Sequence, residues 1–184
     1  MLLGAFLALS AFVAIAPASG AVTATPCPTS AAYQPDAEIA GQTWAGNFYY
    51  LGGGTCNTTA QRQSRTARIA PGDFFSFDVR LFNDGTMPDA ILLKGPASKN
   101  GFVVHYKTAF GAEDITPAVV AGSYTTGTMS PGEATYFRVR VRAKSTTPVG
   151  AHTSFRLLFT STGDSTAQDA VQANVTTEFP PPAS

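Results

Sequence analysis

Side-chain alternation with a period of two constrains this chain more than any other feature. Across Phe75 to Leu81, the apolar Phe75, Phe77, Val79 and Leu81 interleave with Ser76, Asp78 and Arg80. An extended strand sends successive side chains to opposite faces, so this pattern buries one face and wets the other. Ala134 to Ala143 repeats it, with Phe137, Val139 and Val141 on one side and Tyr136, Arg138, Arg140 and Arg142 on the other. Thr153 to Thr160 directs Phe155, Leu157 and Phe159 inward, and Asp169 to Thr177 directs Val171, Ala173 and Val175. Shorter candidates lie at Ala90 to Lys94 and Phe102 to Lys107, separated by Gly95-Pro96 and Asn100-Gly101. Asn83-Asp84-Gly85 suits a turn with positive φ. Long segments with a 3.6-residue period are absent. Short, half-polar strands with turn signals between them predict an all-β fold, an antiparallel immunoglobulin-like β-sandwich of Greek-key type.

The two clearest strands echo each other. Ala70-Pro71-Gly72-Asp73 precedes Phe77-Asp78-Val79-Arg80-Leu81, and Ser130-Pro131-Gly132-Glu133 precedes Phe137-Arg138-Val139-Arg140-Val141. In both, Pro-Gly makes a turn and an acid follows it. Tandem small domains are one reading; two equivalent strands of a single Greek-key domain fit the length better. These segments resemble bacterial immunoglobulin-like surface modules. The similarity rests on Arg68 to Gly72 with Phe77 to Gly85, on Met129 to Glu133 with Phe137 to Val141, and on Thr160-Ser161 with Asp169-Ala170-Val171. It implies a β-sandwich in a cell-surface or extracellular setting, in a group whose members serve as adhesion-related repeats and as spacers beside glycoside hydrolases.

Residues 1–24 read as a signal peptide: Leu2 to Ile15 is an uncharged apolar run, broken by small residues from Pro17 to Ala24. The run is shorter than the ~20 residues that cross a bilayer, so no membrane span is expected in the mature chain. Residues 25–178 then form the sandwich domain, and residues 179–184 a Pro-rich tail around Pro180-Pro181-Pro182. Export makes a disulfide the expected fate of the only two cysteines, Cys27 and Cys56. Closing the interval between them contributes roughly 3.5 kcal/mol by loop entropy. A two-Cys metal site would need further ligands.

Twelve basic residues balance twelve acidic ones, and only 13% of residues are charged, which removes any global pull toward nucleic acid or anionic membrane. His105 and His152 stand in no nucleophile motif, and no Gly-x-Ser-x-Gly elbow exists. Gly52-Gly53-Gly54 has no following Lys and reads as a loop beside Cys56, not as a phosphate cradle. Asp36, Asp84, Asp89, Asp114, Asp164 and Asp169 could gather at one end of a sandwich and hold Ca²⁺, although no Asp-x-Asp-x-Asp-Gly loop occurs. Asn57-Thr58-Thr59 and Asn174-Val175-Thr176 fit the glycosylation pattern. Two surfaces are candidates for a ligand. Arg138, Arg140 and Arg142 project from one face about 7 Å apart and could meet an acidic glycan, or pair across strands with partners such as Asp78. The aromatic stretch of Trp44, Phe48, Tyr49 and Tyr50 could stack on sugar rings or seal the end of the sandwich. The expectation is a non-enzymatic, secreted or cell-surface structural or adhesive module without cofactor or metal. A carbohydrate-binding accessory module is the alternative, and a small secreted hydrolase a third reading. The partners that fit are a cell-wall or extracellular polysaccharide, or a surface protein, and not nucleic acid.

Overall fold

A computed structural model describes residues 26–28, 30–42, 48–108 and 112–179. The signal-peptide reading of residues 1–24, Trp44 and the Pro180–Pro182 tail lie outside these residues. The strands are β1 (Pro35–Gln42), β2 (Phe48–Leu51), β3 (Ser64–Ile69), β4 (Phe74–Asn83), β5 (Ile91–Lys94), β6 (Phe102–Thr108), β7 (Tyr124–Thr125), β8 (Ala134–Ala143), β9 (His152–Ser161) and β10 (Gln168–Thr177); the one helix among the described residues, α1 (Thr116–Ala121), lies between β6 and β7. They form two five-stranded sheets ordered β2-β1-β4-β8-β6 and β3-β10-β9-β5-β7. The run β1-β4-β8-β6 facing β10-β9-β5 is the ABED-against-GFC arrangement of an immunoglobulin-like sandwich. Between the sheets, Phe77, Phe102, Tyr106, Phe155 and Phe159 are fully buried with Val79, Val139, Val141 and Val171. Burying each such side chain contributes about 1.5–3 kcal/mol.

The echo in the sequence marks two neighbouring strands of one domain. β4 and β8 pair antiparallel, from Phe74 opposite Arg142 to Phe82 opposite Ala134. Each is launched by its Pro-Gly turn, and each turn bonds the far end of the other strand. Gly72 N–H donates to the Ala143 carbonyl at 3.1 Å, and Gly132 N–H to the Asn83 carbonyl at 2.7 Å. The two glycines hold φ of 95° and 76°, in the left-handed region that a side chain disfavours. By contrast, Gly85 does not take the positive φ expected for Asn83-Asp84-Gly85. Asn83 ends β4 fully buried, donating to the Met87 and Met129 carbonyls at 2.9 and 3.0 Å. A Cβ on Gly85 would stand 2.5 Å from the Ala32 carbonyl oxygen, so close approach is what calls for glycine there.

The sheets depart from the expectation of purely antiparallel pairing at one edge. β3 runs parallel to β10, Ser64 opposite Gln172 through Ile69 opposite Thr177. β3 is reached by crossing from β2 in the other sheet and not by a hairpin, so no tight turn fixes its direction. The opposite edge is covered. Ile115 N–H donates to the Tyr106 carbonyl at 2.9 Å, and Thr108 N–H to the Glu113 carbonyl at 3.0 Å, so the segment before α1 shields β6.

At the other end, the expected Cys27–Cys56 disulfide ties the segment before β1 to the loop after β2. Beneath it, buried Asp36 accepts the Gly54 N–H at 2.8 Å. Asp169 of β10 reaches across to β1 and accepts the Ala37 N–H at 2.7 Å and the Asn57 N–H at 3.0 Å. Gln63 donates to the same carboxylate at 2.7 Å and to the Ala37 carbonyl at 3.0 Å, while its Oε1 accepts Asn57 Nδ2 at 2.8 Å. The amide of the first glycosylation-like triplet is therefore spent inside this network. Burial pushes the Asp36 carboxyl up to about 7 and that of Asp169 up to about 6.

Replacing Gly132 with Ala is expected to cost about 1–2 kcal/mol in denaturant unfolding, because the space around its Cβ is open and only backbone strain is added. Gly72→Ala should cost about as much, since the turns are equivalent; a loss at one turn alone would contradict that equivalence. Stability should also depend on pH. Asp36 and Asp169 hold their protons more tightly folded than unfolded, so their contribution is complete below the ordinary value of 3.8 and is lost as pH rises through 6 to 7. The loss between pH 4 and 8 should be roughly 6 kcal/mol, and Asp36→Asn should flatten more than half of it in unfolding curves taken across that range.

Candidate functional site

The outer face of the β2-β1-β4-β8-β6 sheet carries the features that the sequence singled out. Along β8 the alternation holds: Phe137, Val139 and Val141 are buried, while Tyr136, Arg138, Arg140 and Arg142 point outward. What each arginine meets is set by register. Arg138 lies opposite Asp78, and its Nε donates to Asp78 Oδ1 at 2.8 Å. That bond raises the pKa of Arg138. Likewise Arg80 of β4 lies opposite Glu38 and donates to its Oε2 at 2.8 Å. Burial works against the Arg80 charge, and the hydrogen bond and charge of Glu38, together with Tyr136, more than restore it. The Arg80 guanidinium also lies 4.5 Å from the Tyr50 ring centroid and 4.9 Å from that of Phe82. These two arginines are neutralised and packed.

Arg140 and Arg142 are different. Arg140 lies opposite Ser76 on one side and His105 on the other, and Arg142 opposite Phe74 and Val103. No carboxylate stands across from either. Arg140 Cζ lies over the Phe74 ring, 3.7 Å from its centroid. Arg142 is anchored by its Nε, which donates to the Gly72 carbonyl at 3.1 Å. With Val103, His105, Lys107 and Asp114 they line a hollow of about 360 Å³. His105 Nδ1 is 2.8 Å from Asp114 Oδ2. Thr116, through its hydroxyl and its N–H, holds the Asp114 carboxyl down at about 2, with His105 adding to the effect. Sequence reading missed Lys107 and Asp114 as members of this group, and Phe74 as the ring under Arg140. Phe74 is half-exposed on the outer face although it begins an apolar run.

The aromatic stretch divides. Tyr49 and Tyr50 are adjacent in β2 and so leave it on opposite faces. Tyr50 belongs to the outer face beneath Arg80, whereas Tyr49 is 62% exposed at the sheet's end. The six loop acids divide too. Asp36 and Asp169 are in the buried network, Asp84 is hydrogen-bonded to Asp36, Asp89 accepts from Gly163 N–H at 3.2 Å, Asp164 from Thr166 N–H at 2.9 Å, and Asp114 sits by His105. Among the described residues, the one convergence of metal-binding atoms is Cys27, Asp36 and Cys56, and both sulfurs there are spent in the disulfide. His152 starts β9, exposed and far in sequence and sheet from His105.

No family model and no curated protein matches this chain. Among solved structures, a family 123 glycoside hydrolase from Clostridium perfringens is similar with a TM-score of 0.49 and 9% identity, over 81% of this chain and 28% of that one. The PapD-like domain 7 of human CEP192 gives 0.39 and 12%, over 90% and 99% of the two chains. The major pilin subunit of Bacillus cereus gives 0.38 and 14%, over 61% and 36%. Likenesses of this strength carry no information about activity.

Proposed function

We propose that this chain is a non-enzymatic, extracellular structural or adhesive module that works by surface contact. The observation that supports this reading is the outer face of the β2-β1-β4-β8-β6 sheet. Its aromatic and cationic side chains are held in place by cross-strand pairs on a scaffold fastened at the far end by the disulfide and the Asp169 network. A surface fixed in advance loses little side-chain entropy on contact. The buried carboxylates serve the fold: Asp169 spends its oxygens on Ala37, Asn57 and Gln63. A disulfide of this kind persists in oxidising compartments, which supports export.

The carbohydrate-binding reading is favoured by one observation, the exposure of Tyr49 and of Tyr136, at 62% and 41%. Such rings can stack on sugars. Retention of the exported, oxidised protein on insoluble cell-wall polysaccharide is expected, with no new reducing ends released over prolonged incubation. Tyr136→Ala or Tyr49→Ala should weaken that retention several-fold if stacking contributes. Release of soluble sugar by the purified protein would overturn the non-enzymatic reading.

A further inference from the structure

Resting on the reading of this domain as a contact module, we infer that the hollow formed by Lys107, Arg140 and Arg142 binds the carboxylate groups of an acidic polysaccharide. The argument begins with charge. All twelve Asp and Glu residues fall among the described residues, yet none forms an ion pair with Lys107, Arg140 or Arg142. On the same face Arg80 and Arg138 each have a carboxylate partner. The register explains the contrast for Arg140, whose cross-strand neighbours are Ser76 and His105; Lys107 faces Arg138 on one side and Asp114, already bonded elsewhere, on the other. Three cations therefore share one hollow with a single acid, Asp114, whose oxygens are already bonded to His105 and to the Thr116 N–H. Asp73, the nearest acid in sequence to Phe74, lines a neighbouring cleft together with Phe74, Arg68 and Glu178, and not the hollow itself.

Geometry supplies the rest. An arginine lying flat on an aromatic ring keeps its N–H groups at the plane's edge, where a carboxylate can be met by two parallel bonds. The 3.7 Å from Arg140 Cζ to the Phe74 ring centroid matches such stacking, and the bond from Arg142 Nε to the Gly72 carbonyl tethers the second head group. Arg140 and Arg142 are two residues apart on one strand, which spaces their stems about 7 Å. The hollow, at about 360 Å³, falls at the small end of ligand-binding pockets. Half-exposed Phe74 supplies an apolar ring next to the cations. A sugar unit bearing a carboxylate matches that combination, an apolar ring face with a charged edge, better than an acidic peptide does.

The test uses the full exported, oxidised chain and immobilised polygalacturonate, with the same polymer fully methyl-esterified as its uncharged counterpart and poly-glutamate as the peptide counterpart. Binding to polygalacturonate is expected, falling about tenfold or more on esterification and falling steeply between low and high salt. Arg140→Gln and Lys107→Gln should each weaken binding about tenfold. Arg140→Lys, which keeps the charge but loses the planar fork, should fall between wild type and Arg140→Gln. Arg156→Gln, an equal charge change on the opposite sheet, should leave binding unaltered. Thermal unfolding of each variant separates a lost contact from a lost fold. Equal retention on the free and esterified polymers, with Arg140→Gln unchanged, overturns the site while leaving the contact reading standing. Tighter binding to poly-glutamate overturns the polysaccharide assignment. Absence of retention on any polysaccharide overturns both the site and the reading beneath it.

Discussion

The pairing of β4 with β8 is the constraint on which the rest of this molecule depends. Its register places Phe77 opposite Val139 and Val79 opposite Phe137 on the inner face, so the same ladder builds the centre of the core. On the outer face it places Asp78 opposite Arg138 and Ser76 opposite Arg140. A slip of one residue would turn both sets over and bury the arginines, which fixes the register strongly. The two Pro-Gly turns hold that register from both ends, each donating to the terminal carbonyl of the other strand. Core and contact face are thus two readings of one set of hydrogen bonds.

The alternating strands were legible because their two faces meet different solvents. Ala134–Ala143 has the bounds that its pattern indicates, while β9 extends its expected strand by one residue at each end and β10 by one at its start. β1 was not legible, and the reason is physical. It lies between β2 and β4; polarity alternates only over Asp36-Ala37-Glu38-Ile39, and Ala40, at a position that should be polar, ends the pattern. Ala40 faces outward yet is covered, because its cross-strand neighbours are Tyr50 and Asp78. α1 spans six residues, too few to show a period, and opens on Pro117 in its first turn. The parallel edge strand β3 depends on Gln172 to Thr177 far along the chain, and nothing local announces it.

The candidate site was half legible for a similar reason. A row of outward arginines follows from period two alone. Which of them remain without a carboxylate is decided by cross-strand partners, and those belong to registers that no single strand records. Asp78 was nameable as a partner because it stands in an obvious strand. The Lys107 and Asp114 contribution required knowing that β6 flanks β8 and that the segment before α1 folds back along its edge.

Overall neutrality of composition conceals a separation of charge along the strands. The buried acids Asp36 and Asp169 stand at the end where β4 finishes, since Asp36 lies opposite Phe82, whereas Arg142 lies opposite Phe74 where β4 begins. Eight residues of extended chain separate those positions by roughly 26 Å. Screening at physiological salt acts over about 8 Å, so the acids at one end do little to offset the cations at the other. A chain with equal numbers of positive and negative groups therefore presents a locally cationic hollow. Equal counts exclude a long-range pull toward polyanions, and they leave room for a short-range one. Contact at this face is then decided by what approaches within a few ångströms of Arg140, not by the charge of the protein as a whole.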